Sequence, residues 1–106
     1  MTVDKMYFLT FHGKPNPETK VPEFGGAFIN CWIEAGTEDQ ADQIARTKIS
    51  ETSWIIINRE ECYEIKRSDY FNKPQGLNYF EQALIDKWVL VFHKYPIGES
   101  NEENDT

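Results

Sequence analysis

The sequence predicts a single α+β domain, and three observations support this prediction. Segments with alternating or continuous apolar residues, typical of strands, recur along the chain. Two segments with helical periodicity each follow a residue that can cap a helix. From Ala27 onward the predicted order is strand, helix, strand, strand, helix, strand. A length of 106 residues suits one domain with one hydrophobic core.

Residues 27–57 are the best specified part of the chain, because they contain a strand, a capped helix and a second strand. The strand at 27–35 alternates, so that Ile29 and Ile33 share one face while Phe28 and Trp32 share the other. Gly36 then ends this strand. Both faces carry large apolar side chains, so both are expected to need cover.

Both predicted helices have a recognisable start. Thr37 is the expected N-cap of the first helix, with Gln40 at the capping-box position. Asn78 is the expected N-cap of the second helix, with Glu81 three residues later. The first helix has a narrow stripe of small and branched residues, which are Ala41, Ile44, Ala45 and Ile49. Because small residues allow close approach, this stripe is expected to face the sheet.

The other predicted strands vary in pattern. Residues 6–12 and 88–95 are apolar on both faces and form the first and last strands. A strand at 54–57 is followed by a polar turn at 58–61 and then by an alternating strand at 62–67. The alternation of the last of these suits an antiparallel hairpin partner.

Two segments are expected to lie outside the regular elements. The second of them, residues 98–106, sets the end of the domain, which is predicted to be residues 1–97. Residues 13–26 contain three prolines and the pair Gly25–Gly26, so they are predicted to form a long loop that is either mobile or functional. Residues 98–106 carry four acidic residues and no basic ones. They are predicted to be an acidic, disordered tail.

At the fold level, this order of elements resembles the ferredoxin-like α+β sandwich, βαββαβ. The resemblance implies two helices on one face of a mainly antiparallel sheet, with residues 6–12 as an extra N-terminal strand at an edge. The short segments, with aromatic residues at strand starts, also resemble small uncharacterised bacterial proteins of this class. That resemblance implies a soluble bacterial protein that often works as a dimer, and it transfers no catalytic residue.

Two helices on one face leave the other face of the sheet without cover. Leaving large apolar groups there in water would forgo roughly 1.5–3 kcal/mol per side chain. A second copy packed on this helix-free face is the expected cover, which predicts a homodimer. The alternatives are that residues 13–26 and 68–76 fold over the face, or that a ligand pocket lies there. The predicted ligand or partner face comprises Tyr7, His12, Phe28, Trp32, Trp54, Trp88 and His93.

Few residues point to catalysis. His12 and His93 each lie near the end of a strand, and they fit no metal spacing. Cys31 lies on the face expected to meet the helices and is predicted to be a core residue. The two cysteines are far apart, as expected for reduced thiols in a cytosolic protein. No metal, cofactor or catalytic residue is therefore predicted.

The charge distribution limits the possible partners. The net charge is −7, and residues 98–106 account for four of these charges, which leaves the domain mildly acidic. Eleven basic residues scattered among eighteen acids disfavour nucleic-acid binding. Glu60, Glu61 and Glu64 form an acidic hairpin, which is either a solvated turn or a docking site for a basic protein.

The same sequence gives no sign of membrane insertion or export. The longest apolar run, residues 88–92, is far too short to span a membrane. The polar start of the chain does not have the pattern of a signal peptide. A cytoplasmic location is therefore expected, without a membrane partner.

These observations predict a non-enzymatic binding or structural protein that homodimerises through its aromatic, helix-free sheet face. One alternative is an immunity-type inhibitor that docks a basic toxin through the acidic hairpin. A second alternative is a small enzyme or ligand carrier with an aromatic pocket between sheet and loop. No motif in the sequence identifies a ligand, a partner or a biological role.

Overall fold

The computed structural model describes residues 4–18 and 24–97. Its elements in chain order are β1 (Lys5–Pro15), β2 (Phe24–Ala35), α1 (Glu38–Ser50), β3 (Trp54–Ile65), a short 3₁₀ helix (Arg67–Tyr70), α2 (Pro74–Asp86) and β4 (Trp88–Pro96). The four strands form one sheet in the order β3-β1-β2-β4, and every neighbouring pair is antiparallel. The predicted α+β architecture is therefore confirmed.

The predicted ferredoxin-like topology is not confirmed, because the number and order of the strands differ. Residues 54–57 and 62–67 were expected to be separate strands, but β3 runs continuously through the polar segment at 58–61. Two register shifts against β1 accommodate this segment. β1 was expected at an edge, yet it lies inside the sheet between β2 and β3. Its apolar side chains on both faces suit that interior position.

The two helices lie on opposite faces of the sheet, so the prediction that they share one face is wrong. On one face, α1 packs over Leu9 and Ile33, and we call this the α1 side. On the other face, Phe80 and Ala83 of α2 pack with Trp32, and we call this the α2 side. Because apolar side chains project from both faces of β1 and β2, each face needs its own helix.

The start of α1 follows the prediction, whereas that of α2 does not. The Thr37 hydroxyl accepts a hydrogen bond from the Gln40 backbone N–H at 3.2 Å, and the Gln40 side chain accepts one from the Gly36 N–H at 3.1 Å. α2 begins at Pro74, four residues before the predicted cap Asn78. Proline suits the first helical turn, where its missing N–H would have no partner.

The loop predicted for residues 13–26 is shorter than expected, because both strands extend into it. β1 continues to Pro15 and β2 starts at Phe24. Trp54 packs over Gly13 and reaches Phe92, with 5.5 Å between the ring centroids. The rest of this loop, residues 19–23, and the predicted acidic tail, residues 98–106, lie outside the described residues.

Candidate functional site: the outer edge of β4

The seven residues predicted to form one ligand or partner face are divided between the two faces of the sheet. The α1 side holds Tyr7, Trp54 and Trp88. The α2 side holds His12, Phe28, Trp32 and His93, since Phe28 pairs with both histidines and Trp32, four residues further along β2, points to the same side. The structure therefore does not bring the seven together into one surface.

Trp32, one of the three tryptophans of the predicted face, is covered by its own chain. It is only 5% exposed, and its indole Nε1–H donates a hydrogen bond to the Tyr70 hydroxyl at 2.7 Å. The ring centroids of Phe8 and Tyr79 lie 5.1 Å and 4.8 Å from the centroid of the Trp32 ring. The 3₁₀ helix and α2 thus provide the cover that a second copy was expected to supply. Trp32 therefore needs no second copy packed on the face of the sheet.

The rest of the α2 side carries a cluster of rings near the C-terminal end of β4. His12 stacks on Phe28 with 4.7 Å between centroids, and its Nε2 lies 2.7 Å from the Tyr95 hydroxyl. Tyr95 and His12 stand on strands that are not neighbours, and the Tyr95 ring passes over Gly26 to reach His12. A Cβ at Gly26 would overlap the Tyr95 hydroxyl, so glycine is required at this close approach.

A second polar group lies beside this cluster. The Asn30 side chain joins Thr10 and His93, because Oδ1 accepts from the Thr10 hydroxyl and Nδ2 lies 3.3 Å from His93 Nε2. These polar atoms therefore satisfy one another across the sheet. Within residues 4–18 and 24–97, there is no group of three or more His, Cys, Asp or Glu side chains that could hold a metal ion.

Two clefts in the described part of the chain lie elsewhere. One of about 520 Å³ lies along α1 and the end of β2, and its lining includes Glu34, Gln43 and Lys48. Another of about 300 Å³ lies between the end of α1 and the start of β3, next to Trp54. Of the seven predicted residues, Trp54 alone lines either cleft. Neither cleft carries a pair of groups arranged for acid–base or nucleophilic chemistry.

The cysteines have the character of structural residues. Cys31 is fully buried on the α1 side, as predicted, and burial strongly raises the pKa of its thiol. Cys62 is partly buried, and burial together with the nearby Glu38 carboxylate raises its pKa to about 11. A nucleophilic cysteine needs the opposite change in pKa.

The predicted acidic hairpin is part of β3, one of the two outer strands of the sheet. Glu60, Glu61 and Glu64 are all exposed there. Arg59 lies among them and forms an ion pair with Asp42 of α1 at 3.1 Å. Charged side chains and irregular register are two ways in which proteins keep an outer strand from pairing with another chain. β3 has both.

β4, the other outer strand, has a different composition. Its first five residues, Trp88–Phe92, are all apolar, and each of them is only partly buried. The strand contains no acidic residue, and its single lysine, Lys94, lies near its end with its ammonium 5.2 Å from the Phe24 ring centroid. Among the described residues, β2 is the one strand that pairs with β4. The outward N–H and C=O groups of β4 therefore have no strand partner there.

Both sides of β4 are supported, so its outer edge is held in a defined position. Trp88, Leu90 and Phe92 pack against the α1-side cluster, while Val89 and Val91 pack against the α2-side cluster. Pairing with β2, in register from Trp88 to Tyr95, fixes the inner edge. A strand held in this way presents a preformed row of donors and acceptors flanked by apolar side chains.

The start of β4 is fixed by Lys87, the single residue between α2 and β4. Lys87 has a left-handed backbone conformation, with φ of 77°, and its N–H donates to the Ala83 carbonyl at 2.7 Å. Its own carbonyl accepts from the Glu34 N–H at 3.0 Å. Its ammonium lies 2.8 Å from Glu34 Oε1, and this carboxylate raises the pKa of Lys87.

Sequence reasoning missed this edge, although its signal was present. The run Trp88–Phe92 was identified as the longest apolar stretch of the chain, but its position in the sheet was not predicted. Tyr95 and Asn30 were likewise not selected, because their roles depend on contacts across strands. The pair Gly25–Gly26 was interpreted as part of a loop, whereas Gly26 makes room for Tyr95.

Comparison of the chain with protein-family models, with curated proteins and with solved structures gives no match. In the described part of the chain, neither helix combines the length and the apolar character needed to cross a bilayer.

Proposed function

We propose that this chain is a non-enzymatic interaction protein that binds an extended polypeptide segment by adding it to the sheet along β4. The observation that carries this proposal is the contrast between the two outer strands. β3 is charged and has two register shifts against its partner, whereas β4 pairs without a shift from Trp88 to Tyr95 and begins with five apolar residues. Evolved proteins normally protect an edge of this second kind, unless the edge has a partner.

Strand addition would use two features of β4 at once. The outward backbone groups would supply hydrogen bonds, each worth about 0.5–1.5 kcal/mol net. The side chains would supply selectivity, because alternate residues of an added strand would lie beside Trp88, Leu90 and Phe92 on one side and Val89 and Val91 on the other. The preferred segment is therefore apolar and extended, with β-branched or aromatic residues.

The acidic β3 edge supports a second candidate, docking to a basic protein, less strongly. Glu60, Glu61 and Glu64 are exposed, as an immunity-type inhibitor would require. The same exposure is explained by the need to keep β3 from pairing with other strands. The acidic edge therefore does not distinguish a docking surface from a protected edge.

A selection experiment tests strand addition without assuming a partner. A displayed library of nine-residue peptides is selected against the purified wild-type chain. The same selection is made with Val91→Lys, which places a charge on the β4 edge, and with Ile57→Lys, which places the same charge on β3. Ile57 is 51% exposed, so its replacement is a matched control for added charge.

We expect the wild type and Ile57→Lys to enrich apolar, β-prone peptides and Val91→Lys to lose that enrichment. Circular dichroism spectra and thermal melting must show that all three proteins are folded. Absence of enrichment by the folded wild-type protein would contradict strand addition. Equal enrichment by folded Val91→Lys would place the binding surface elsewhere.

A further inference from the structure

We infer that the strand added to β4 is β4 of a second copy of this chain, running antiparallel, with the two-fold axis beside Val91. This inference rests on the proposed function, and it identifies the partner. The result is a dimer with one continuous sheet of eight strands. Its interface is the outer edge of the sheet, and the sheet faces stay covered by α1 and α2 of each copy.

The asymmetry between the two edges explains why assembly would stop at two copies. Pairing β4 with β4 uses the apolar edge of both copies and leaves a β3 strand at each end of the joined sheet. Both of these ends carry the exposed charges of Arg59, Glu60 and Glu61, and both are irregular in register. A sheet that ends in protected strands on both sides does not continue to grow. An unrelated partner strand would need a protected edge of its own to end the sheet, whereas a second copy brings its own β3.

Symmetry restricts where the axis can lie. Two antiparallel strands related by a two-fold axis perpendicular to the sheet keep their faces, so directly opposite residues must point to the same side. On β4, Trp88, Leu90 and Phe92 point to the α1 side, and Val89 and Val91 point to the α2 side. Each residue must therefore pair with one of the same parity. The axis then lies beside one residue and not between two.

Among the central positions, Val91 gives the best pairing. An axis beside Val91 pairs the seven residues Trp88–Lys94 and places Lys94 opposite the partner subunit's Trp88. Lysine already packs on this indole within one chain, since Lys48 Nζ lies 4.8 Å from the Trp88 ring centroid. The centre of the strand carries no charge, so this pairing places no like charges opposite each other.

A two-fold axis beside a neighbouring residue gives a poorer pairing of the two strands. An axis beside Leu90 pairs only the five residues Trp88–Phe92 within the strands. An axis beside Phe92 places Lys94 opposite the partner subunit's Leu90, and it brings Pro96, which has no N–H to donate, into the pairing. The Val91 axis avoids both the short overlap and the proline.

Two measurements test the dimer. Size-exclusion chromatography with light scattering should give the wild type and Ile57→Lys twice the chain mass of 12.4 kDa. Folded Val91→Lys should elute as a monomer, with self-association weakened at least tenfold. If Val91→Lys does not fold, the cysteine variants described next carry the test. A wild-type monomer at 100 µM would overturn the inference.

Cysteine variants test the position of the axis. Leu90→Cys, Val91→Cys and Phe92→Cys are each made with Cys62→Ser, while Cys31 stays buried. Directly opposite residues have Cβ atoms about 4.5–5.5 Å apart, close to the range of a disulfide, whereas diagonal neighbours are farther apart. Mild oxidation should therefore cross-link Val91→Cys at least fivefold more than the other two. Stronger cross-linking at position 90 or 92 would overturn the Val91 axis.

Failure of this inference can be separated from failure of the proposed function. A monomeric wild type that still enriches β-prone peptides retains strand addition and excludes the second copy as partner. A dimer that persists in folded Val91→Lys excludes the β4 interface itself.

Discussion

β3 and β4 are both outer strands of the same sheet, yet they expose their free edges in opposite ways. β3 combines exposed charges with two register shifts, and Arg59 ties it to Asp42 of α1. β4 is apolar over Trp88–Phe92 and pairs evenly with β2 along this run. This contrast shows that the protection of an edge is a local property of its sequence. An edge without such protection identifies the side of the sheet where binding is to be sought.

The largest expected effect comes from removing the support beneath β4. Trp32→Ala would remove the buried ring on which α2 rests, and the loss of a buried aromatic costs about 3–5 kcal/mol of unfolding free energy. Tyr63→Ala on β3 is the matched comparison, because Tyr63 contacts the Phe8 ring but is 49% exposed. We expect a cost of about 1 kcal/mol there, measured by urea denaturation. Similar costs for the two variants would show that α2 does not depend on Trp32.

The next prediction concerns Cys62, which lies on the α1 side of β3 and packs against the α1-side cluster. It tests whether this side of β3 stays covered. The pKa of Cys62 is raised from 9.0 to about 11, so its thiolate fraction at pH 8 is about 100-fold lower than that of an ordinary thiol. Alkylation of Cys62 by iodoacetamide, followed by mass spectrometry, should be correspondingly slow. Glu38→Gln removes a negative charge that raises this pKa and should speed the reaction. A rate equal to that of an unfolded peptide would mean that β3 opens readily.

A third prediction concerns the far end of β4, which the contact across Gly26 holds in place. Gly26→Ala would push against the Tyr95 ring and bring a Cβ to about 2.8 Å from the Gly13 carbonyl oxygen. Overpacking of this kind costs about 1–3 kcal/mol. Tyr95→Phe keeps the ring and removes only the hydrogen bond to His12, at a cost of about 1 kcal/mol.

Chemical denaturation gives the stability of both variants, and amide hydrogen exchange of β4 shows where structure is lost. If Gly26→Ala were as stable as the wild type, the Tyr95 ring could not lie over Gly26 as described.

The smallest expected effect comes from making the two edges alike. Glu60→Val combined with Glu61→Val removes two charges from β3, and it should strengthen self-association about tenfold through the new apolar edge. Asp39→Val in α1 combined with Glu51→Val, directly after α1, changes the net charge equally and serves as the control. Sedimentation velocity at several protein concentrations distinguishes them. Equal behaviour of the two double variants would mean that the charges on β3 do not protect it.

Local features of the fold could be predicted from the sequence. Thr37 and Gln40 form their cap as expected, because a capping box depends only on residues close in the chain. The same reasoning misplaced the start of α2, where Asn78 resembles a cap but Pro74 begins the helix. Two plausible starts within one turn compete, and their local sequences alone did not decide between them.

The arrangement of the helices could not be predicted in the same way. The alternation of Phe28 and Trp32 with Ile29 and Ile33 was correctly assigned to two faces. A helix, however, carries no local signal for the face it will cover, because that depends on the path of the chain through β3. The position of β4 at an edge also depends on long-range pairing. Strands that are apolar on both faces are typical of the interior of a sheet, and in this protein β1 meets that expectation while β4 does not.

Lys87 has one further consequence. Because the connection is a single residue, hydrogen-bonded through its backbone to both Ala83 and Glu34, α2 and β4 cannot move independently of each other. Any displacement of β4 on binding must therefore be transmitted to α2, and from there to the indole of Trp32 beneath it. Trp88 directly follows Lys87, so such a displacement would change the surroundings of two of the protein's three tryptophans. The intrinsic fluorescence of the unlabelled protein should report occupancy of the edge.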